Sequence, residues 1–260
     1  MPDFMQSIAA ACGFALLSWW LGTGAILWLV RLRPSSFRWS LVLATATLVL
    51  GLAGAAYSMR STGAGAAYLA FASVILMWSW HELAFLTGWL TGPRRIALDA
   101  GAQGRRRLVQ SVQAVAYHEL ALLLNFLVLW ILQTGQPNHV ALCTYALLWC
   151  MRVSAKLNLF LGVPQTGAQY LPAHLRYLAS YFRQAPVTPF FFLTLTGSAL
   201  TLVWLIGQVH VGLVTATTGW VLLATLLGLA IVEHVLMAFP LSIERPVSYT
   251  HLTLPTILLV

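Results

Sequence analysis

Long apolar stretches broken by short polar, proline-containing or basic connections set the rhythm of this chain. A helix that crosses a bilayer needs about 20 mostly apolar residues. With that length as the ruler, the pattern predicts spans over residues 8–30, 40–59, 64–91, 111–133, 139–161, 188–209 and 212–239. Only short connections remain, apart from one longer stretch at 162–187. The expected fold class is therefore all-α: a polytopic membrane bundle of about seven transmembrane helices, forming one unit over residues 1–245. The leader Met1-Pro2-Asp3 has no basic residue, and the apolar run behind it is too long for a signal peptide, so the first span is expected to stay in the membrane. Residues 246–260 are set apart, because Val247 to Thr256 reads like an in-frame translation of a sequencing-library adapter.

Composition sharpens this picture by exclusion. Hydrophobic residues make up 60% and charged residues 8% of the chain, against about 25% charged in a soluble domain. Mean hydropathy is +0.82. Disorder, a secreted disulfide scaffold and nucleic-acid binding are all excluded: the net charge of +8 is scattered between apolar runs, and Cys12, Cys143 and Cys150 all lie inside such runs.

The basic residues carry topology instead. Arg31, Arg33 and Arg38 fall between spans 1 and 2, Arg94, Arg95, Arg105, Arg106 and Arg107 between spans 3 and 4, and Arg176 and Arg183 between spans 5 and 6. Arg245 follows span 7, and Arg60 stands alone on the other side. By the positive-inside rule the N-terminus is expected to be outside and the C-terminus cytoplasmic. Trp39, Tyr57, Trp89, Tyr170 and Tyr181 fall near span ends, where amphipathic rings favour the interface. Leu171, Leu175, Leu178 and Phe182 are spaced to give one apolar face, which predicts a cytoplasmic interfacial helix.

Candidate chemistry lies inside the membrane, where a carboxylate is costly and seldom kept without a partner. Each of the three intramembrane glutamates is adjacent to a histidine: His81-Glu82 in span 3, His118-Glu119 in span 4 and Glu233-His234 in span 7. At 1.5 Å per residue the three histidines lie roughly 15, 10 and 8 Å from the basic ends of their spans, all in the same half. Span 5 supplies the opposite charge, with Arg152 and Lys156 four residues apart on one face and Asn158 close behind. They are expected to point inward to Glu82, Glu119 or Glu233 and not to snorkel to the headgroups. Such a set can order the bundle, hold a ligand, pigment or metal, or do chemistry. His81, His118 and His234 are the candidate metal ligands, and imidazole also suits a chlorin magnesium or haem iron. No residue is assigned a catalytic role. The pairs lack the Glu-x-x-His spacing of di-iron bundles and the His-Glu-x-x-His of zincins.

Trp80-His81-Glu82, Phe85-Leu86-Thr87-Gly88, Thr91-Gly92-Pro93-Arg94-Arg95, Tyr117-His118-Glu119-Leu120 and the run from Leu148 through Pro164 resemble the PuhE family, as do Leu171-Pro172-Ala173-His174-Leu175 and Ser180-Tyr181-Phe182. These are photosynthetic complex assembly proteins of anoxygenic phototrophic bacteria. The likeness runs from about span 3 to Glu233-His234, and spans 1 and 2 add little. It departs from the family at Gln165, where the family favours Asn, and after span 7. The resemblance implies an accessory factor of a bacterial inner or intracytoplasmic membrane, its N-terminus then periplasmic, encoded with the reaction-centre H-subunit genes and acting in assembly or tuning of the reaction centre and core antenna. Its partners would be membrane lipid, reaction-centre subunits and light-harvesting subunits, and a bacteriochlorophyll- or haem-type ligand is the cofactor to consider. Two other readings stand beside it: a membrane metalloenzyme acting on a tetrapyrrole or lipid, and a transporter of pigment or precursor. The continuous spans speak against broken transporter helices.

Overall fold

The computed structural model describes residues 2–211 and 214–239; the stretch 246–260 lies outside them. Seven helices among the described residues are long and apolar enough to cross a membrane. They are α1 (Pro2–Val30), α2 (Phe37–Ser58), α3 (Ala64–Leu86), α4 (Gly104–Gln133), α5 (Val140–Leu161), α6 (Pro189–Val211) and α7 (Val214–Ala238). The only non-helical pairing among the described residues is an isolated bridge between Val163 and Gln184.

α3 is the axis of the bundle. It packs against α1, α2, α4, α5 and α7, so most of its apolar side chains and its His81-Glu82 pair are buried. α2 reaches it closely because the contact is made by small residues. A Cβ added at Gly51 would lie 2.6 Å from the Ser73 carbonyl oxygen, and one at Gly54 would lie 2.4 Å from Ser73 Oγ. Dispersion and close backbone approach hold such helices together where lipid offers no hydrophobic drive. The α4–α5 turn is pinned to the same end of α2, where Asn138 Nδ2 donates to the Ser58 carbonyl at 2.9 Å.

α3 stops at Leu86, five residues short of the apolar run that predicted a span to 91. The stop is Gly88 in the left-handed region (φ 78°), with Leu90 N–H returning to the Ala84 carbonyl at 2.9 Å, a glycine C-terminal closure. His174 completes it, its Nε2 donating to the Leu86 carbonyl at 2.9 Å. The chain then runs back along α4. His118 N–H reaches the Thr91 carbonyl at 2.9 Å, and a Cβ at Gly92 would strike the Gln113 carbonyl at 2.0 Å. Asp99 ties this connection down, pairing with Arg94 and, at 2.6 Å, with Arg106. Gln110 Nε2 donates to it at 2.6 Å.

The interfacial helix expected near 171–182 is instead a 3-10 helix, Ala173–Tyr181, that caps the bundle. With three residues per turn, Leu175, Leu178 and Tyr181 line one face and are buried against α3, α4 and the connection between them. Tyr181 is accordingly no interface anchor. It is 5% exposed, and its hydroxyl donates to the Ile96 carbonyl at 2.8 Å while accepting from Arg94 at 2.9 Å.

Gly51→Ala should lower the detergent-solubilised melting temperature, because the new methyl meets backbone. Gly13→Ala, with open space around its Cβ, should leave it unchanged or raise it slightly. Hydrogen bonds from Arg106, Gln110 and Arg94 hold the Asp99 carboxyl down at about 2. Its contribution is therefore present above the ordinary aspartate value near 3.8 and is lost as pH falls through about 2. An acid titration of stability should show that limb in the parent protein and lose it in Asp99→Asn.

Candidate functional site

The last three turns of α5 carry polar residues at every second position, 152, 154, 156 and 158, each step turning 200° around the helix. Arg152 and Lys156 therefore share one side, and Ser154 and Asn158 the other. Each meets a different neighbour. Arg152 pairs with Glu82 of α3 and Lys156 with Glu119 of α4. Ser154 Oγ lies 2.9 Å from His234 Nε2 of α7. Asn158 Nδ2 donates to Thr194 Oγ1 of α6 at 3.2 Å and to the Ser154 carbonyl at 3.0 Å.

The two ion pairs differ in setting. Arg152 and Glu82 are each 6% exposed at the side chain, with the Trp78 ring centroid 5.7 Å from the guanidinium carbon. Glu82 Oε2 and Arg152 Nε have no protein partner. Both residues line a cavity of about 80 Å³ between α1, α3, α5 and α7, together with Trp19, Glu233 and His234. That is room for a few waters, at roughly 10–15 Å³ each, and water would satisfy both orphaned atoms. No basic group lies within 4.0 Å of Glu233 among the described residues. Lys156 and Glu119 are 20% and 29% exposed and face a second, apolar cavity between α4 and α5. Trp149 Nε1 donates to Glu119 Oε2 at 3.3 Å. Of the three glutamates left open as partners, Arg152 thus meets Glu82 and Lys156 meets Glu119. The four-residue spacing puts both cations on one side of α5 without fixing which neighbour each one meets.

The histidines divide into two places. His81 Nε2 accepts from Asn125 Nδ2 at 3.0 Å and lies 3.3 Å from the Tyr145 hydroxyl, which itself donates to the Leu122 carbonyl at 3.0 Å. His118 is wholly buried, its ring 4.7 Å from Phe85 and 6.5 Å from His81 between centroids. Neither of its nitrogens has a partner. His234 sits on the other side of α5. Its Nδ1 donates to the Ala230 carbonyl at 2.9 Å, so its Nε2 accepts from Ser154. No group of three or more His, Cys, Asp or Glu converges on one point among the described residues, so the side chains do not fit a three-histidine metal centre. They fit a chlorin or haem axial site no better. His81 and His118 line neither cavity, and both nitrogens of His234, which does line one, are engaged.

Asn125 and Tyr145 are members of the site that the sequence reading passed over. Asn125 carried a signal, a lone amide in the run Leu122 to Leu127, seven residues and two turns from His118. Tyr145 carried none, since an aromatic ring in an apolar helix reads as ordinary packing.

Arg152→Ala leaves a carboxylate buried without its cation, at a cost of about 3–5 kcal/mol. A thermal melt in detergent should record that loss. Adding Glu82→Ala should recover part of it, and adding Glu119→Ala should recover none.

The family described as "Protein of unknown function (DUF3623)" matches residues 5–248. The chain is 37% identical over 232 residues to the "Uncharacterized 30.4 kDa protein in puhA 5'region" of Rhodobacter capsulatus, covering 87% of this chain and 85% of that protein. No solved structure matches it.

Proposed function

The chain belongs to the DUF3623 family, and from that membership we propose that it is a PuhE-type accessory protein of the photosynthetic membrane, acting in assembly or tuning of the reaction centre and core antenna. The observation that carries this reading is the place of its relative in the puhA 5' region, at 37% identity over most of both chains. The motifs that resemble the PuhE family include the residues at the polar centre: Trp80-His81-Glu82, Tyr117-His118-Glu119 and Arg152 to Asn158.

Within that reading, the buried cluster orders the bundle and does not ligate a pigment. Support comes from the way Arg152, Ser154, Lys156 and Asn158 of α5 are each used by a different neighbouring helix. Buried polar contacts of this kind fix register and neighbour choice. A rigid scaffold ordered this way presents exposed apolar faces such as that of α6, where Leu193, Leu200 and Val203 point outward. In a membrane these faces meet lipid or the helices of a partner.

Deleting the gene in a phototroph and recording absorption spectra of its membranes tests the proposal. Reduced or altered reaction-centre and core-antenna bands, restored by the wild-type gene, are expected. Unchanged bands and unchanged pigment content would overturn it.

A further inference from the structure

The second cavity has a volume of about 250 Å³ and lies between α4, α5 and the 3-10 cap. Its walls are mostly apolar, and its outer edge is formed by side chains that face away from the bundle, among them Leu108, Val112 and Leu157. Both helices are of membrane-crossing character, so the medium beyond that edge is hydrocarbon, and an acyl chain would fill the space.

Charge marks one end of it. Arg107 stands at the mouth on the basic side, its guanidinium 4.0 Å from the centroid of the Phe160 ring that forms part of the wall. It donates to the carbonyls of Phe160 and Tyr181 at 2.7 and 2.9 Å. Carbonyls leave its charge uncancelled. Arg183 is near enough for the two positive charges to act on each other; its own side chain is exposed, and its backbone is pinned to Leu159 and Val163. Neither arginine has a carboxylate within 4.0 Å among the described residues. One helical turn inward from Phe160, about 6 Å deeper, Lys156 lines the same cavity and donates to Glu119. An ammonium has three donors, and no bulk water reaches that depth.

We propose that this cavity is a binding site for one anionic glycerophospholipid: its phosphate between Arg107 and Arg183, an ester carbonyl at the depth of Lys156, and one acyl chain between α4 and α5. Two unneutralised guanidinium groups at the rim select a net negative head. Lys156, already balanced by Glu119, takes a neutral acceptor in preference to a second anion. The site stands on its own geometry and does not depend on the photosynthetic role.

The test is native mass spectrometry of the delipidated full chain in detergent, titrated with dioleoyl phosphatidylglycerol, dioleoyl phosphatidylcholine or inorganic phosphate. One phosphatidylglycerol should be retained per chain, more tightly than phosphatidylcholine. Arg107→Ala also removes two carbonyl contacts and so confounds folding with binding. Arg183→Gln is therefore the charge variant, and it should weaken phosphatidylglycerol retention about fivefold with an unchanged lipid-free melting temperature. Val112→Trp, placed on the lipid-facing wall, should block the chain and weaken retention at least as much. Equal retention of both lipids, displacement of the lipid by inorganic phosphate alone, or wild-type retention in either variant would overturn the site.

Discussion

A polar side chain in hydrocarbon has no water to fall back on, so whatever α5 carries must be met by its neighbours. That constraint sets the arrangement of the bundle around the buried Arg152–Glu82 pair. Once the guanidinium is committed to α3, the helical repeat decides where Ser154, Lys156 and Asn158 point. α7, α4 and α6 must then bring His234, Glu119 and Thr194 to those positions. An apolar α5 could rotate or slide against its neighbours at small cost. This one cannot turn by a single residue without stranding a charge.

Packing and polarity divide the work between the two sides of α3. Toward α2 the contact is steric, with glycines letting backbones meet at Ser73. Toward α4 and α5 it is polar and aromatic, with His81, His118, Tyr145 and Trp78 filling the space around the ion pair. On that side rings supply bulk without further charge, while the opposite side of Arg152 and Glu82 opens on the cavity shared with Glu233 and His234. The unpartnered nitrogens of His118 lie among these rings.

The sequence displayed the seven spans, because hydrocarbon imposes a length that soluble proteins do not require, and it displayed the chemistry of the cluster, because charge inside an apolar run is conspicuous. It did not display who meets whom. Arg152 and Lys156 look alike from the sequence, and only the lateral order of the helices assigns Glu82 to one and Glu119 to the other. Local closures were also hidden: Gly88 ends α3 where Gly92-Pro93 was the louder signal. The apolar spacing of 171–182 fits an α-helical face and a 3-10 face nearly as well. Asp99 went unread because a single acid in a basic connection gains meaning only when Arg94, Arg106 and Gln110 are brought around it.

The most apolar 18-residue stretch of α5 has a mean hydropathy of 1.3, the lowest such stretch among the seven spans, and each basic residue near the middle of an inserting helix costs about 2.5–3.5 kcal/mol at the translocon. Chain order offsets this. α3 and α4 are synthesised first, so Glu82 and Glu119 are already in the bilayer when Arg152 and Lys156 emerge, and α5 can leave the translocon as a set of paired charges. The partners supplied by α6 and α7, Thr194 and His234, arrive later and belong to neutral contacts that can wait. Chain order thus makes the charged partners of α5 available before its neutral ones.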